Sequence, residues 1–92
     1  MTKEEFLERV NLRRYPKYTL SQIKEGFPKE DCASIICTTS GYILLAKWEY
    51  GKWQQAHFTS TRYGEKQEIY YTDIEEGVIF WTEGKAEDYS IQ

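Results

Sequence analysis

The catalytic chemistry open to this chain rests on one histidine and two cysteines. His57 is the only histidine, and Cys32 and Cys37 are the only thiols. An imidazole within hydrogen-bond reach of a cysteine can activate the thiol as a nucleophile. Nucleophilic catalysis therefore depends on whether the fold brings Cys37 to His57.

Metal or cofactor chemistry has less support. The Cys-x4-Cys spacing has no second pair of ligands and is not a zinc pattern. Asp73, Glu75 and Glu76 form an acidic cluster, but it lacks the spaced oxygen ligands and the glycine of a calcium loop. There is no glycine-rich phosphate loop and no nucleophile elbow. We expect a solvated turn at the acidic cluster, and neither a metal nor another cofactor.

Four aromatic residues offer binding without catalysis. Tyr42, Trp48 and Tyr50 lie in one run, and Trp53 follows two residues later. Exposed together on a sheet face, they could stack on a sugar, a base or a proline-rich peptide. Buried, Trp48 and Trp53 would form a cross-strand pair that anchors the helix. We favour the buried pair, and the four residues remain the candidate binding residues.

The elements that position these residues begin with an N-terminal helix, predicted over residues 2–14. Thr2 is a typical N-cap, and Glu5 three residues later completes a capping box. Phe6 and Val10 belong to an apolar stripe at helical spacing. The first proline ends the pattern.

Five strands are predicted after the helix, because β-branched and aromatic residues dominate five short runs. The runs are Ala33–Thr38, Tyr42–Tyr50, Trp53–Thr59, Glu68–Thr72 and Val78–Thr82. A polar loop is expected over Thr59–Gln67 and an acidic tail over residues 83–92. The predicted fold class is α+β, with the N-terminal helix packed on an antiparallel β-meander of about five strands, the sheet spanning about residues 33–82.

The two predicted turns decide which side chains share a face. A turn at Tyr50-Gly51 sets Trp48 opposite Trp53, and a turn at Ser40-Gly41 places Cys37, Leu44 and His57 in one row. At about 4.8 Å per strand, Cys37 and His57 would then lie about 9.6 Å apart. That separation excludes a thiolate–imidazolium pair, so we expect no enzyme. An extra residue in either turn would flip one strand and change the row.

Both faces of this sheet carry apolar residues, so the sheet needs two covers. The N-terminal helix is one. The second could be the segment Tyr18–Phe27, curvature of the sheet, or a partner chain, and the residues do not decide between them.

The bulk composition sets wider limits. At 92 residues, with 40% hydrophobic and 16% aromatic residues, the chain is expected to form one domain over residues 1–92. No apolar run is long enough to span a membrane, and the charged N-terminus does not resemble a signal peptide. We therefore expect cytoplasmic residence and free thiols. The basic cluster Arg13–Lys17 stands alone in a chain of net charge −3, so nucleic-acid binding is not expected.

A series of short motifs runs through Tyr18–Trp81. It comprises Phe27-Pro28, the apolar Ile35–Cys37, Gly-Lys-Trp at Gly51–Trp53, and a closing Val-x-x-Trp at Val78–Trp81. This series resembles a small bacterial and phage family catalogued only as a domain of unknown function. That family has a proline-rich stretch after the last tryptophan, which is absent here. The resemblance implies a compact sheet domain of bacterial or phage type and no particular activity.

The function expected from these patterns is a non-catalytic protein-interaction module. It would bind a protein partner, or a second copy of itself, through an aromatic sheet face or an edge strand. The alternative is a small-molecule or glycan-binding domain that uses Trp48, Tyr50 and Trp53. A dimer in solution supports the first function, and a monomer with exposed tryptophan supports the second.

Overall fold

A computed structural model of the chain describes residues 1–12, 17–60 and 67–84. One helix, one 3-10 turn and five strands follow in the order α1 (Lys3–Asn11), the 3-10 turn (Leu20–Gln22), β1 (Cys32–Thr38), β2 (Ile43–Glu49), β3 (Lys52–Ser60), β4 (Gln67–Asp73) and β5 (Val78–Glu83). The predicted α+β class is confirmed. No helix among these residues is long and apolar enough to cross a membrane.

Several predicted features lie partly outside the described residues. These are the helix end at 13–14, the basic cluster at 13–16, the loop at 61–66 and the tail from 85 onwards. The ends of the predicted loop are strand, because β3 includes Thr59 and Ser60 and β4 begins at Gln67.

The predicted capping box starts α1. The Thr2 hydroxyl accepts a hydrogen bond from the Glu5 backbone N–H at 3.1 Å, and the Thr2 N–H donates to the Glu5 carboxylate at 3.2 Å. The hydrogen bonds that the Glu5 carboxylate accepts from the Thr2 backbone and side chain lower its pKa. The helix then buries Phe6 and Val10 completely, so its apolar stripe faces the sheet as predicted.

The strand order is β4-β3-β2-β1-β5, and all neighbours are antiparallel. The first four strands form the meander, and β5 returns to the opposite edge beside β1. A flat sheet would separate β4 from β5 by about 19 Å. The connection from Asp73 to Val78 reaches at most about 18 Å and must also pass from one end of the sheet to the other, so the sheet curls.

Curvature brings together side chains from strands that are not neighbours. The rings of Trp53 on β3 and Trp81 on β5 lie 6.3 Å apart, although β2 and β1 run between them. The β4–β5 connection closes this face: the Ile74 N–H donates to the Trp53 carbonyl at 3.2 Å, and the Thr39 N–H donates to the Gly77 carbonyl at 2.9 Å.

The sheet has one apolar core on each face. The helix-side core comprises Phe6, Val10, Tyr18, Ile23, Ile35, Cys37 and Phe80. The concave core comprises Ile36, Ala46, Trp53 and Trp81, with Ile74 and Val78 packed against them. Curvature and the β4–β5 connection therefore provide most of the second cover. The segment after the helix contributes Tyr18 and Ile23 to the first core, and its last residue, Phe27, packs on Trp48 at the concave core.

The β2–β3 hairpin has the predicted register, with Trp48 opposite Trp53 and Glu49 opposite Lys52. Tyr50 and Gly51 both have positive φ, at 55° and 74°. Two successive residues of this kind form the two-residue turn whose twist matches that of the strands.

The β1–β2 hairpin differs from the prediction. Its loop has three residues, Thr39–Gly41, and Cys37 pairs with Ile43 instead of facing Leu44. The Thr38 N–H donates to the Tyr42 carbonyl, and Gly41 has a φ of 86°. This is the three-residue loop with a glycine in the left-handed region. The extra residue turns β1 over relative to β2, so the predicted row of Cys37, Leu44 and His57 is wrong.

Tyr50 occupies a strained turn position, and relieving the strain should stabilise the fold. A left-handed conformation costs an L-residue roughly 1–2 kcal/mol, and asparagine tolerates it best among residues with a side chain. We expect Tyr50→Asn to raise the free energy of unfolding in urea by about 0.5–1 kcal/mol. Tyr50→Ala is the control, because alanine keeps the conformational cost. An equal gain in the alanine variant would contradict the explanation.

Candidate functional site

Cys37 and His57 lie on opposite faces of the sheet. Cys37 is fully buried in the helix-side core, its Sγ 3.6 Å from the Met1 sulfur. His57 lies on the concave face, where its Nε2 is 2.6 Å from the Thr72 hydroxyl and its ring stacks on Tyr70 with centroids 4.8 Å apart. The sheet itself separates the two groups, so they form no nucleophile–base pair.

The two thiols differ in accessibility, and alkylation can measure this difference. Cys32 is half-buried, whereas desolvation raises the pKa of Cys37. The two residues lie five positions apart on β1, about 16 Å, which is beyond disulfide range. We expect native protein to alkylate at Cys32 first and unfolded protein to alkylate at both, measured by intact mass. A mass deficit of two hydrogens without alkylation would contradict this.

Two of the three acidic residues, Asp73 and Glu76, form hydrogen bonds or ion pairs with neighbouring residues. Asp73 accepts a hydrogen bond from Gln54 and pairs with Lys52 at 3.2 Å, which together lower its pKa. Hydrogen bonds from the Thr38 hydroxyl and the Ser40 backbone lower the pKa of Glu76. Among the described residues, no three His, Cys, Asp or Glu side chains are grouped to hold a metal ion.

The four candidate aromatic residues do not form one patch. Trp53 is only 7% exposed and meets Trp48 edge-on, with ring centroids 5.2 Å apart. Tyr50 is 86% exposed at the turn. Tyr42 is also exposed, but it precedes Trp48 by six residues, about 20 Å along the strand. The tryptophans are thus a packed pair, as we favoured, but they lie in the concave core and not under α1, so the prediction that they anchor the helix is wrong. The tyrosines are two separate surface residues.

Phe27 and Trp81 complete the aromatic cluster and were not among the candidates. The Phe27 ring stacks on the outer side of Trp48 at 4.8 Å and is itself 67% exposed. Trp81 lies against Trp53. No local signal links Phe27 to Trp48 or Trp81 to Trp53, because each contact joins segments that are distant in sequence.

A second apolar surface lies along β4, and sequence reasoning missed it. We define the β4 surface as Phe58, Ile69 and Tyr70. Phe58 and Ile69 are cross-strand partners on the convex face, and Tyr70 pairs with His57 on the concave face. All three are exposed large hydrophobic side chains. Their common feature is position on the outermost hairpin of the sheet.

The outer edge of β4 also presents backbone groups that pair with no other described residue. Glu49 and Lys52 flank a two-residue turn, so their backbone N–H and C=O groups bond each other. Because these groups alternate in direction along a strand, the backbone groups of Trp53 and His57 point toward β4. The Ile74 bond to the Trp53 carbonyl agrees with this. In β4 the groups of Tyr70 then face β3. Those of residues 67, 69, 71 and 73 point away from the sheet and have no partner within the described chain.

The other edge of the sheet is covered at one point. Lys24 forms a bridge with Trp81 through two backbone hydrogen bonds of 2.8 and 2.9 Å, and its ammonium group lies 5.4 Å from the Trp81 ring centroid. Within the described residues, β4 is therefore the longer open edge.

Comparison with known proteins gives no further assignment. No family model, curated protein or solved structure matches this chain, so the resemblance to a bacterial and phage family stays a prediction.

Proposed function

We propose that this domain is a non-catalytic protein-interaction module that binds an extended segment of a partner protein along β4. The observation that carries the proposal is the outer edge of that strand, where four residues point their N–H and C=O groups away from the sheet. An added strand would satisfy these groups by β-augmentation.

The side chains of β4 support the same function. Natural proteins protect edge strands with charged side chains, lysine above all, with proline or with bulges. The β4 sequence QEIYYTD has neither lysine nor proline, its acidic residues Glu68 and Asp73 leave residues 69–72 uncharged, and its pairing with β3 is continuous over seven residues. Ile69 and Tyr70 offer apolar contacts on opposite faces, which a bound strand needs for specificity.

The non-catalytic part of the proposal is supported by the environment of His57, whose neighbours are a hydroxyl and a phenol ring. Cytoplasmic residence is part of the same proposal, and the two free thiols support it.

The alternative function, small-molecule or glycan binding by Trp48, Tyr50 and Trp53, has weaker support. Trp53 is buried, and Phe27 covers the outer side of Trp48. Tyr50 alone offers an open ring.

The test uses a proline substitution that blocks only the outer edge. The Ile69 N–H points outward, so Ile69→Pro removes a donor for the partner without breaking a bond to β3. Ile69→Val is the matched control, since it keeps the donor and an apolar side chain. A displayed library of random dodecapeptides is selected on the native domain, and affinities are then measured for each variant.

We expect the selected peptides to bind the native and valine proteins alike and to lose at least tenfold in affinity for the proline variant, with circular dichroism confirming the fold. Equal binding to the proline variant, or the absence of binding peptides for a protein that is monomeric in solution, would overturn the function. Glycan binding abolished by Trp48→Ala and unaffected by Ile69→Pro would instead support the alternative.

A further inference from the structure

We propose that β4 pairs with β4 of a second copy of this chain, antiparallel, around a two-fold axis that passes through Tyr70. This inference rests on the proposed function, because it uses the same strand edge and names the partner.

Symmetry restricts the possible registers. Antiparallel pairing of identical edges requires a two-fold axis normal to the sheet, which keeps each face on its own side. In antiparallel strands, two residues that lie opposite each other have their side chains on the same face of the sheet. The two-fold axis must therefore pass through a residue and not between two residues. With Tyr70 on the axis, Ile69 faces Tyr71 of the second copy, and Glu68 faces Thr72 of the second copy. All seven residues of β4 overlap.

The backbone fits this register. Ile69 and Tyr71 both point their backbone groups outward, so they exchange two hydrogen bonds across the interface, as do residues 67 and 73. Hydrogen-bonded and non-hydrogen-bonded residue pairs alternate along antiparallel strands. The two Tyr70 residues at the axis therefore form a non-hydrogen-bonded pair, with their Cα atoms about 4.5 Å apart.

The charges fit as well. In the Tyr70 register no like charges face each other, because Glu68 meets a threonine and Asp73 meets glutamine 67. An axis at Tyr71 would place Ile69 opposite Asp73, and an axis at Ile69 would place Glu68 opposite Tyr70. Both shifts also shorten the overlap to five residues. The Tyr70 axis alone combines full overlap with compatible side chains.

The pairing also covers exposed apolar area on both faces. On the concave face the two Tyr70 rings meet, each already stacked on its own His57. On the convex face Ile69, which lies beside Phe58, gains Tyr71 of the second copy as a neighbour. Aromatic and aromatic–aliphatic cross-strand pairs are the contacts that stabilise sheets.

Disulfide trapping tests the register directly, in a Cys32→Ser background with Cys37 left in its buried place. Tyr70→Cys places two thiols on the axis, at a Cα distance within disulfide range. Thr72→Cys is the matched control, because its two copies lie four residues apart, about 13 Å. The double variant Glu68→Cys/Thr72→Cys places thiols opposite each other again.

Under mild oxidation we expect covalent dimer from Tyr70→Cys and from the double variant, and at least tenfold less from Thr72→Cys. Without any cysteine substitution, sedimentation equilibrium should show a mass rising with concentration toward twice the 11.0 kDa of the chain. Tyr70→Lys should stay monomeric, because two ammonium groups would meet at the axis.

Cross-linking of Thr72→Cys as fast as that of Tyr70→Cys would overturn the register, and a constant monomer mass without Tyr70→Cys cross-links would overturn the dimer. Should peptides bind at Ile69 while no dimer forms, the second copy is excluded and the proposed function stands. If neither peptides nor a second copy bind, the proposed function and the proposed dimer are both excluded.

Discussion

Replacing Trp53 with alanine should lower the free energy of unfolding by about 3–5 kcal/mol, the usual range for a large aromatic residue removed from a core. Trp53 is 7% exposed and joins two tryptophans, Trp48 at 5.2 Å and Trp81 at 6.3 Å. Its removal leaves a cavity between β2 and β5 that neither strand can fill without losing its register. Urea unfolding followed by circular dichroism measures the change.

The exposed Tyr50 provides the matched aromatic control. Tyr50→Ala should change the free energy of unfolding by no more than about 0.5 kcal/mol, as for most surface substitutions. A loss below about 1 kcal/mol for Trp53→Ala would mean that Trp53 is accessible in solution, and glycan or small-molecule binding at the tryptophans would regain support.

Phe6→Ala should destabilise the domain by a similar amount, about 3–5 kcal/mol, for a different reason. Phe6 is fully buried and stacks on Phe80 with ring centroids 6.1 Å apart, so it fixes α1 on the sheet. The substitution should also speed alkylation of Cys37, which lies in the same core. Urea unfolding gives the first quantity and timed mass spectrometry the second.

Leu12→Ala at the end of the same helix is the control, because Leu12 is largely exposed. It should leave both quantities near their native values. A Phe6→Ala protein with native stability and slow Cys37 alkylation would show that the helix does not cover this face.

The β2–β3 hairpin was predictable because its two-residue turn allows only one register between the two strands. Tyr50 and Gly51 occupy a two-residue turn, and the alternation of the flanking strands then has a single register. The capping box of α1 was equally local. In both cases, the residues that determine the structure lie within a few positions of each other.

The face of β1 was not predictable in the same way. Ser-Gly fits a two-residue loop or the end of a three-residue loop, and the choice depends on whether Thr39 belongs to the strand. Hydrophobic alternation did not decide it, since Ile35, Ile36 and Cys37 are all apolar and all buried. Only the packing of α1 on one face and Trp81 on the other selects the observed register.

Among the aromatic candidates, only the contact between Trp48 and Trp53 was predictable from the sequence. Pairing of Trp48 with Trp53 follows from the hairpin, whereas the position of Phe27 over Trp48 depends on a chain segment distant in sequence. The β4 surface was missed because an edge becomes visible only with the strand order. Nothing in the β4 sequence indicates that β5 pairs with β1 and leaves β4 outermost.

The pairing of β5 with β1 has a consequence for biosynthesis. It joins Ser34 to Glu83, more than half the chain away, and such distant pairings slow folding. Two successive residues of β5 also serve different cores, Phe80 the helix-side core and Trp81 the concave core. A nascent chain that ends at β4 therefore lacks one aromatic residue in each of the two cores. The domain folds after β5 has been synthesised.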